Sequence, residues 1–248
     1  MGKKVLVIGG SYFVGRVFCL QATRTGDFGL TVINRGNAPL GKPDIREHAF
    51  DCNDDAAIRA NLLPLLAGER FDALIDTCAY EPGQIQKILG LFGDRIGHYI
   101  YVSTASVYAV GDLSERREGD PVMAESKQRT EMTDYVYKKL LRERELTAAC
   151  EPRGIPWTIL RPTIIFGPFN YAPRERWFIE RIAKGQPVPV LTDAPAAFNM
   201  VYVHDISRAL QILVGDERGH NQIFNLAAPE RITWPLFYDS LERCNGAP

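Results

Sequence analysis

The chain has 248 residues, of which 46% are apolar, and its formal net charge is −1 at pH 7 with a sequence pI near 6.4. This length and apolar content suit one large α/β domain with a small annex, and the balanced charge lacks the basic surface that nucleic acid requires. No apolar run reaches the length of a membrane span, and five cysteines without a CxxC pair indicate reduced thiols rather than disulfides or a metal site. We therefore expect a cytoplasmic protein with a small-molecule partner and no nucleic acid, membrane or metal.

The N-terminal stretch KKVLVIGGSYFVGR predicts a strand, a glycine turn and a helix. Residues 5–8 are a β-branched and aliphatic run, typical of a strand buried on both faces of a parallel sheet. Gly9 and Gly10 interrupt the run, and a helical pattern follows over 14–25. In this context glycines let the backbone approach a pyrophosphate at the helix N-terminus. Tyr12 occupies the middle position, where the motif has a small residue, so a plain turn is the alternative.

The second predicted strand, over 30–33, ends in Asn34, Arg35 and Gly36. An acidic residue at this strand end is typical of NAD sites, whereas a nearby Arg accommodates the 2′-phosphate of NADP. The acid is absent and Arg35 is present, so the sequence slightly favours NADP over NAD. The alternative is a polar turn with a solvated Arg.

The third and fourth predicted strands, over 47–50 and 71–76, end in residues suited to a nucleoside. Asp51 follows the third strand and precedes a predicted helix over 55–66. Its carboxylate suits a hydrogen bond from an adenine amino group, and it equally suits the cap region of that helix. After the fourth strand, residues 77–80 offer small side chains against which a ribose can lie.

Hydroxyl side chains follow the fifth predicted strand. A helix over 84–92 leads to this strand, over 98–102, and the segment STASVY occupies 103–108. Hydroxyls at the carboxyl end of a central strand lie where open α/β sheets bind ligands, although Ser and Thr also serve ordinary turns. A charged stretch punctuated by Gly and Pro, over 111–127, predicts a long loop above this edge.

A long helix over 131–150 carries Tyr135 and Lys139, four residues apart and therefore on one face. Such a pair is common by chance, and taken alone a structural pair is the better interpretation. Combined with the glycine turn and the hydroxyl cluster, it indicates an active site. Beyond a sixth strand at 157–160, the pattern predicts helices over 173–184, 204–214 and 236–243, strands over 200–203 and 223–226, and an extended run over 187–191.

These motifs together resemble the extended short-chain dehydrogenase/reductase superfamily, in particular its NAD-dependent epimerase/dehydratase family. The middle-position Tyr and the NRG strand end are similar to an atypical branch, some members of which are chloroplast proteins that bind RNA. The matching positions are Gly9, Gly10 and Gly15 in the glycine motif, Thr104 in STASVY, Tyr135 and Lys139 in YxxxK, 161–168 in RPxxxYGP, and 200–206 in MVYVHDI.

The resemblance implies a Rossmann-type, doubly wound parallel sheet with a small C-terminal substrate-binding subdomain. Residues 1–168 are expected to form the NAD(P)-binding domain, with 200–228 returning to it, and 169–248 a small substrate-binding region. The family usually extends further than Pro248, so we expect this region to be truncated or minimal.

The resemblance also implies which residues contact ligands. Metal ligands are not expected. The cofactor-binding residues are Gly9, Gly10, Ser11, Tyr12, Phe13, Val14, Gly15, Asn34, Arg35, Asp51, Cys52, Cys78, Ala79, Tyr80, Ser103, Pro162 and Ile164, with NADP or NAD as cofactor. The substrate-binding residues are Ser106, Tyr108, Asn170, Arg174 and Asn199.

The implied chemistry uses Thr104, Tyr135 and Lys139 as catalytic residues. The positive Lys139 and the positive nicotinamide of the oxidised cofactor together favour the phenolate of Tyr135, whose ordinary pKa is about 10, so that it can take a proton from a substrate hydroxyl that Thr104 holds. This indicates an NAD(P)-dependent oxidoreductase or epimerase acting on a sugar or nucleotide-sugar-like substrate. Dehydration is less favoured because Ala105 and Ser106 replace the Asp-Glu pair typical of dehydratases.

Two further expectations rest on the same resemblance. The helices over 84–92 and 131–150 are expected to pair across a two-fold axis and form a homodimer. Phe198 and Asn199 stand where many nucleotide-sugar enzymes have an Arg that binds the diphosphate, which weakens the case for that substrate class. The alternative function is a non-catalytic protein that binds a dinucleotide or RNA on the same fold.

Overall fold

The core of the structure is a seven-stranded parallel sheet. The structure is a computed structural model that describes residues 2–65, 67–109, 115–124, 130–191 and 197–244. Its strands are β1 (Lys3–Ile8), β2 (Phe28–Asn34), β3 (Ile45–Ala49), β4 (Ala73–Asp76), β5 (Tyr99–Val102), β6 (Trp157–Pro162) and β9 (Gln222–Leu226), while β7 (Ile164–Phe166) and β8 (Met200–Tyr202) form a separate parallel pair. The order in the large sheet is β3-β2-β1-β4-β5-β6-β9.

Helices lie on both faces of the sheet. They are α1 (Phe13–Thr25), α2 (Asp55–Ala57), α3 (Leu63–Leu65), α4 (Gln84–Phe92), α5 (Glu131–Cys150), α6 (Glu175–Ala183), α7 (Val203–Leu213) and α8 (Trp234–Cys244). The prediction of a Rossmann-type, doubly wound parallel sheet is confirmed, because the chain runs from β1 outward to β3 and then returns to β4 on the other side.

The alternation of side chains along β1 supplies both halves of the core. Val5 and Val7 pack into a cluster with side chains of α1 and α7, whereas Leu6 and Ile8 pack into a second cluster with side chains of α4 and α5. Successive residues of a strand point to opposite faces, so a strand between two helical layers needs a continuous apolar run. This explains why VLVI, rather than an alternating pattern, precedes the glycine turn.

The parallel arrangement places the carboxyl ends of all seven strands at one edge of the sheet. The direction of winding reverses between β1 and β4, and a crevice opens at such a reversal. The segments that follow β1, β4, β5 and β6 therefore converge there. None of the described helices combines the length and apolarity that crossing a membrane requires.

The observed elements differ from the predicted ones at several points. The helix predicted over 55–66 consists of α2, a π-helical segment Ile58–Leu62, and α3, and residue 66 lies outside the described residues. β7 was not predicted, and the run over 187–191 joins neither of the described sheets. The predicted loop over 111–127 lies partly outside the described residues.

Candidate functional site

A cleft of ≈ 1140 Å³ follows the carboxyl edge of the sheet, from the glycine turn after β1 to aromatic side chains of α6 and α8. Most residues predicted to bind cofactor or substrate, and all three predicted catalytic residues, line it. They are Gly9, Ser11, Tyr12, Phe13, Val14, Gly15, Asn34, Arg35, Asp51, Cys52, Cys78, Tyr80, Ser103, Thr104, Ser106, Tyr135, Lys139, Pro162, Ile164, Arg174 and Asn199.

Two residues predicted to bind the cofactor do not line the cleft. Gly10 faces the core, where it packs against Val32. Ala79 is buried: its N–H donates to Asp76 Oδ1 (2.8 Å), and its carbonyl accepts a hydrogen bond from the Tyr101 hydroxyl (2.9 Å). The backbone around these residues holds neighbouring elements together, and their contact with a cofactor stays a prediction.

Two residues predicted to bind substrate are likewise absent from the cleft lining. The Tyr108 hydroxyl donates to Asn225 Oδ1 (2.6 Å), and the guanidinium of Arg161 lies 4.9 Å from the centre of the Tyr108 ring. The side-chain oxygen of Asn170 accepts a hydrogen bond from the N–H of Ala172 (3.0 Å), which closes a local turn. Both side chains make structural contacts, although the buried Nδ2 of Asn170 has no hydrogen-bond partner among the described residues. Their contact with a substrate stays a prediction.

The glycine turn forms a close backbone cradle at the start of α1. Gly9 has φ +96°, a conformation that side chains rarely allow, and a Cβ atom at Gly15 would overlap the carbonyl oxygen of Gly9. Tyr12 has extended backbone and is 44% exposed, so this position does not require glycine. Among the described residues, no side chain caps α1, and its first turn contains no acid. These features suit an anion at the helix N-terminus.

The segment after β7 contacts the start of α1 at one side of the cleft, through Phe169 and Tyr171. Phe13 has φ +43°, which is strained for a bulky residue, and its N–H donates to the carbonyl of Phe169 (3.0 Å). The rings of Tyr12 and Tyr171 meet edge to face at 6.4 Å, and the guanidinium of Arg16 lies 5.2 Å from the centre of the Phe169 ring. The start of α1 is therefore held against the opposite wall of the cleft.

The end of β2 combines a rigid turn with an exposed cation. Asn34 Nδ2 donates to Glu47 Oε1 (2.6 Å), and Asn34 Oδ1 accepts from the N–H of Gly36 (2.7 Å). Glu47 also accepts from the N–H of Leu40 (2.9 Å). Asn34 thus organises the turn, while Arg35 is exposed and lines the cleft.

Asp51 is not the N-cap of the helix that follows it, and its contact with adenine stays a prediction. The N-cap of α2 is Asp54, whose carboxylate accepts hydrogen bonds from the N–H groups of Ala56 (2.9 Å) and Ala57 (3.1 Å). Asp51 lines the cleft and accepts from the N–H of Asn53 (2.9 Å). The capping alternative is therefore wrong for Asp51.

Two hydroxyls at the end of β5 face the cleft. Thr104 caps a short turn, where its Oγ1 accepts from the N–H of Ser106 (3.2 Å). The buried Oγ of Ser103 has no hydrogen-bond partner among the described residues. A buried polar atom without a partner is rare, and a bound ligand can supply the missing bond. Together with the glycine cradle, this atom fits a dinucleotide in the cleft.

Lys139 is held beneath the end of β5 by α5. Its Nζ donates to the carbonyl of Val102 (2.9 Å) and lies 4.8 Å from the centre of the Tyr101 ring. The side chain is almost completely buried, and burial lowers the pKa of Lys139 to about 8, against the opposing charge of Asp76. The ammonium is thus a preoriented donor below about pH 8.

Tyr135 lies one turn before Lys139 on α5 and lines the cleft. Its ring is 5.5 Å from that of Tyr80. Burial is the main reason that the pKa of Tyr135 is raised above its usual range; Tyr171 adds to this and Arg174 opposes it. Burial outweighs any lowering of this pKa by Lys139, and the joint effect of Lys139 and a nicotinamide cation stays a prediction.

The far end of the cleft is aromatic, which the sequence analysis did not predict. The rings of Phe198 and Trp234 lie 5.1 Å apart, and those of Phe178 and Phe237 lie 5.4 Å apart. Asn199 Nδ2 is engaged with the carbonyls of residues 228 and 230. The many aromatic residues between 169 and 238 were the sequence feature from which this aromatic end could have been predicted. Other unpredicted lining residues include Phe50, Asn53, Gln84, Thr163 and Tyr171.

The parallel sheet, the glycine turn and the cleft lined by Thr, Tyr and Lys define a fold of the short-chain dehydrogenase/reductase class. Residues 87–227 match the model of the NAD dependent epimerase/dehydratase family, and the chain belongs to that family. The resemblance drawn from the motifs is therefore confirmed.

Individual relatives share much of the chain at low identity. The chloroplast stem-loop binding protein of 41 kDa b of Arabidopsis thaliana is 27% identical over 256 residues, which cover 99% of this chain and 64% of that protein. The UDP-glucose 4-epimerase of Thermotoga maritima, solved with UDP-glucose, superposes with a TM-score of 0.81 at 19% identity, over 98% of this chain and 82% of that one. The UDP-glucuronic acid 4-epimerase of Bacillus cereus, solved with NAD, superposes with a TM-score of 0.80 at 19% identity, over 99% of this chain and 85% of that one. At such identities the two structures show a common fold only.

Proposed function

We propose that this protein is an NAD(P)-dependent oxidoreductase or epimerase that acts on a hydroxyl-bearing carbon of a sugar or nucleotide-sugar-like substrate. The supporting observation is that Thr104, Tyr135 and Lys139, which come from two separate elements, line one cleft together with the glycine cradle. A binding protein has no need of all three groups. The epimerases of known structure with this fold support the same substrate class.

Some residues of the cleft would bind the cofactor, and others would orient the substrate and transfer a proton. The turn at Gly9 and the start of α1 would hold the pyrophosphate, and the Ser103 hydroxyl and the Lys139 ammonium would donate to the cofactor. The bound cofactor supplies hydride transfer at the substrate carbon. Tyr135 would exchange a proton with the substrate oxygen, and the Thr104 hydroxyl would orient that oxygen.

The proposal is tested by binding and then by turnover. Purified protein is titrated with NAD and NADP by calorimetry, and the loaded protein is assayed against nucleotide sugars, free sugars and small ketones. We expect binding of at least one dinucleotide and conversion of at least one hydroxyl compound. A folded protein that binds neither dinucleotide would overturn the proposal.

We further propose a preference for NADP over NAD, because Arg35 is an exposed cation on the cleft and no acidic residue follows β2 directly. The variant Arg35→Ala is expected to bind NADP about tenfold more weakly, which corresponds to losing a charged hydrogen bond, and to bind NAD as before. Lys42→Ala is the matched control, since Lys42 is exposed but does not line this cleft. Equal wild-type affinities for both dinucleotides would contradict the preference.

A homodimer formed through α4 and α5 remains a prediction. These helices pack against each other on one face of the sheet, and their outer surfaces include the exposed Ala148. Light scattering is expected to give twice the chain mass of 27.8 kDa. An Arg at position 148 should produce monomers, whereas the same change at the exposed Ala183 of α6 should not. A wild-type monomer at micromolar concentration would refute the prediction.

RNA binding is the second candidate, and the name of the Arabidopsis relative is the observation that favours it. The net charge of −1 argues against it, because RNA-binding surfaces are usually basic. The discriminating measurement is a titration with a stem-loop RNA at two salt concentrations, with and without saturating dinucleotide. Salt-sensitive binding together with an absence of dinucleotide binding would favour this candidate. The cytoplasmic location also remains a prediction.

A further inference from the structure

Arg16 connects two segments of the cleft wall although it does not line the cleft itself. It is the fourth residue of α1 and directly follows Gly15. Its Nη1 atom donates to three carbonyl oxygens: that of Ser11 in the glycine turn (3.2 Å), and those of Ala38 (3.2 Å) and Pro39 (3.3 Å) after β2. One guanidinium nitrogen thus bridges the glycine turn and the loop that follows β2.

The loop over residues 35–40, which we call the β2 loop, belongs to the proposed dinucleotide site. Arg35 and Asn37, two residues of this loop, line the cleft. Arg35 is the cation on which the proposed preference for NADP rests. The position of the β2 loop relative to the glycine turn therefore sets where a 2′-phosphate could be bound.

The middle of the β2 loop depends on Arg16. The two ends of the loop are fixed from other elements, because the N–H of Gly36 donates to a side chain of β2 (2.7 Å) and that of Leu40 to a side chain of β3 (2.9 Å). For residues 37–39, the bonds from Arg16 are the only hydrogen bonds within the described part of the chain. Without them, this part of the loop loses its anchor to α1.

Arg16 also carries a positive charge at a place where a helix does not favour one. The N-terminal end of a helix is the positive end of its dipole, so a cation in the first turn is destabilising. The first turn of α1 has no acid to offset this effect, and the hydrogen-bond partners of Arg16 are uncharged carbonyls. Residues that oppose a local preference are expected at functional sites. This charge would attract the phosphates of a dinucleotide.

A third contact limits the movement of the guanidinium. Its central carbon lies 5.2 Å from the centre of the Phe169 ring, in the segment after β7. The carbonyl of Phe169 accepts the N–H of Phe13 (3.0 Å), so the ring is tied to the start of the same helix. A cation over an aromatic face is attracted to it. The ring therefore helps to hold the partly buried Arg16 against its carbonyl partners.

We propose that Arg16 is a positioning residue that fixes the β2 loop to the glycine turn and thereby strengthens the preference for NADP over NAD. The inference rests on the proposed function, in which the glycine turn binds the pyrophosphate and Arg35 binds the 2′-phosphate of one ligand. A loop that is ordered before binding loses less conformational entropy when the ligand binds. Loss of Arg16 should therefore weaken the binding of NADP more than that of NAD, which lacks the 2′-phosphate.

The first measurement is calorimetric titration of Arg16→Met with both dinucleotides. We expect the affinity for NADP to fall about tenfold, as for a lost charged hydrogen bond, and the affinity for NAD to fall less. Arg16→Lys should recover most of the NADP affinity, because an ammonium group keeps three donors. Arg24→Met is the matched control, since Arg24 is exposed on the same helix and does not line the cleft. A folded Arg16→Met protein with an unchanged ratio of the two affinities would overturn the proposal.

A double-mutant cycle separates positioning from a general effect of charge. If Arg16 acts through the loop that carries Arg35, the two substitutions are not additive. In an Arg35→Ala background, Arg16→Met should weaken NADP binding only as much as it weakens NAD binding. Additive losses of NADP affinity would exclude the positioning role. Arg16→Gln, which keeps an N–H donor without the charge, replaces Arg16→Met in both measurements if the methionine variant does not fold.

Hydrogen exchange of the protein without ligand tests the position of the loop directly. We expect the peptide that contains the amides of Gly36 and Leu40 to exchange faster in Arg16→Met than in the wild type, because the loop opens more often. Unchanged exchange would show that Arg16 does not hold the loop. A wild-type protein that binds neither dinucleotide would overturn the proposed function, whereas the exchange measurement would still decide whether Arg16 fixes the β2 loop.

Discussion

Replacing Tyr135 with phenylalanine is expected to lower turnover by about 10²–10⁴-fold, the usual contribution of a positioned proton-transfer group. The variant removes only the hydroxyl, so the ring contact with Tyr80 and the packing of α5 are retained. Dinucleotide affinity should therefore change little, because the glycine cradle is formed by other elements. The measurement is kcat on any substrate found in the screen, together with a dinucleotide titration.

The pH dependence of turnover supplies a second readout for the same variant. Burial raises the pKa of Tyr135, so without opposing charges the phenol stays protonated through neutral pH. Oxidation of an alcohol needs the unprotonated form as base, and its rate should rise with pH. Reduction needs the protonated form as acid and should be favoured at neutral pH. Tyr135→Phe is expected to abolish the pH dependence of the oxidation rate and that of the reduction rate.

Tyr108→Phe is the matched control for this experiment. It also removes one phenolic hydroxyl, but that hydroxyl bonds Asn225 and does not line the cleft. We expect near wild-type turnover and a loss of about 0.5–1.5 kcal/mol in stability, the usual value for one hydrogen bond. Near wild-type turnover and an unshifted pH profile in Tyr135→Phe would show that the Tyr-Lys pair is structural.

Sequence reasoning predicted the elements whose ends are marked by local signals. The predicted bounds of α4 and α5 equal the observed ones: glycines with positive φ flank α4, and Thr130 forms a capping box at the start of α5. β7 escaped prediction because it has only three residues and pairs with β8, more than thirty positions later in the chain. A pairing of this kind leaves no periodic pattern within the strand itself.

The site was predictable at the level of which strand ends converge, and less so for individual side chains. The carboxyl edge of a parallel sheet brought Gly9, Thr104 and Tyr135 to one cleft, as the topology requires. The hydrogen bond of Tyr108 could not be predicted, because its partner, Asn225, is 117 residues away. The raised pKa of Tyr135 could not be predicted, because it depends on burial, which the spacing of a Tyr and a Lys does not reveal.

Replacing Gly15 with alanine is expected to produce the largest loss of dinucleotide binding among single-methyl changes in the cradle. The added Cβ would overlap the carbonyl oxygen of Gly9 and lie 2.9 Å from its carbonyl carbon, so α1 must move away from the turn. Overpacking of this kind costs about 1–3 kcal/mol. If the dinucleotide-bound conformation bears this cost, the affinity for the dinucleotide falls about tenfold to a hundredfold. Calorimetric titration with NAD and NADP measures the loss.

The control for Gly15→Ala is the same change at Gly29, whose added Cβ would meet open space and whose φ is not positive. Gly29→Ala is expected to bind dinucleotides as the wild type does and to be equally or slightly more stable, since alanine loses less entropy on folding than glycine. Circular dichroism of both variants at the titration temperature separates lost binding from lost folding. A folded Gly15→Ala protein with wild-type affinity would mean that the cradle at the start of α1 does not hold the pyrophosphate.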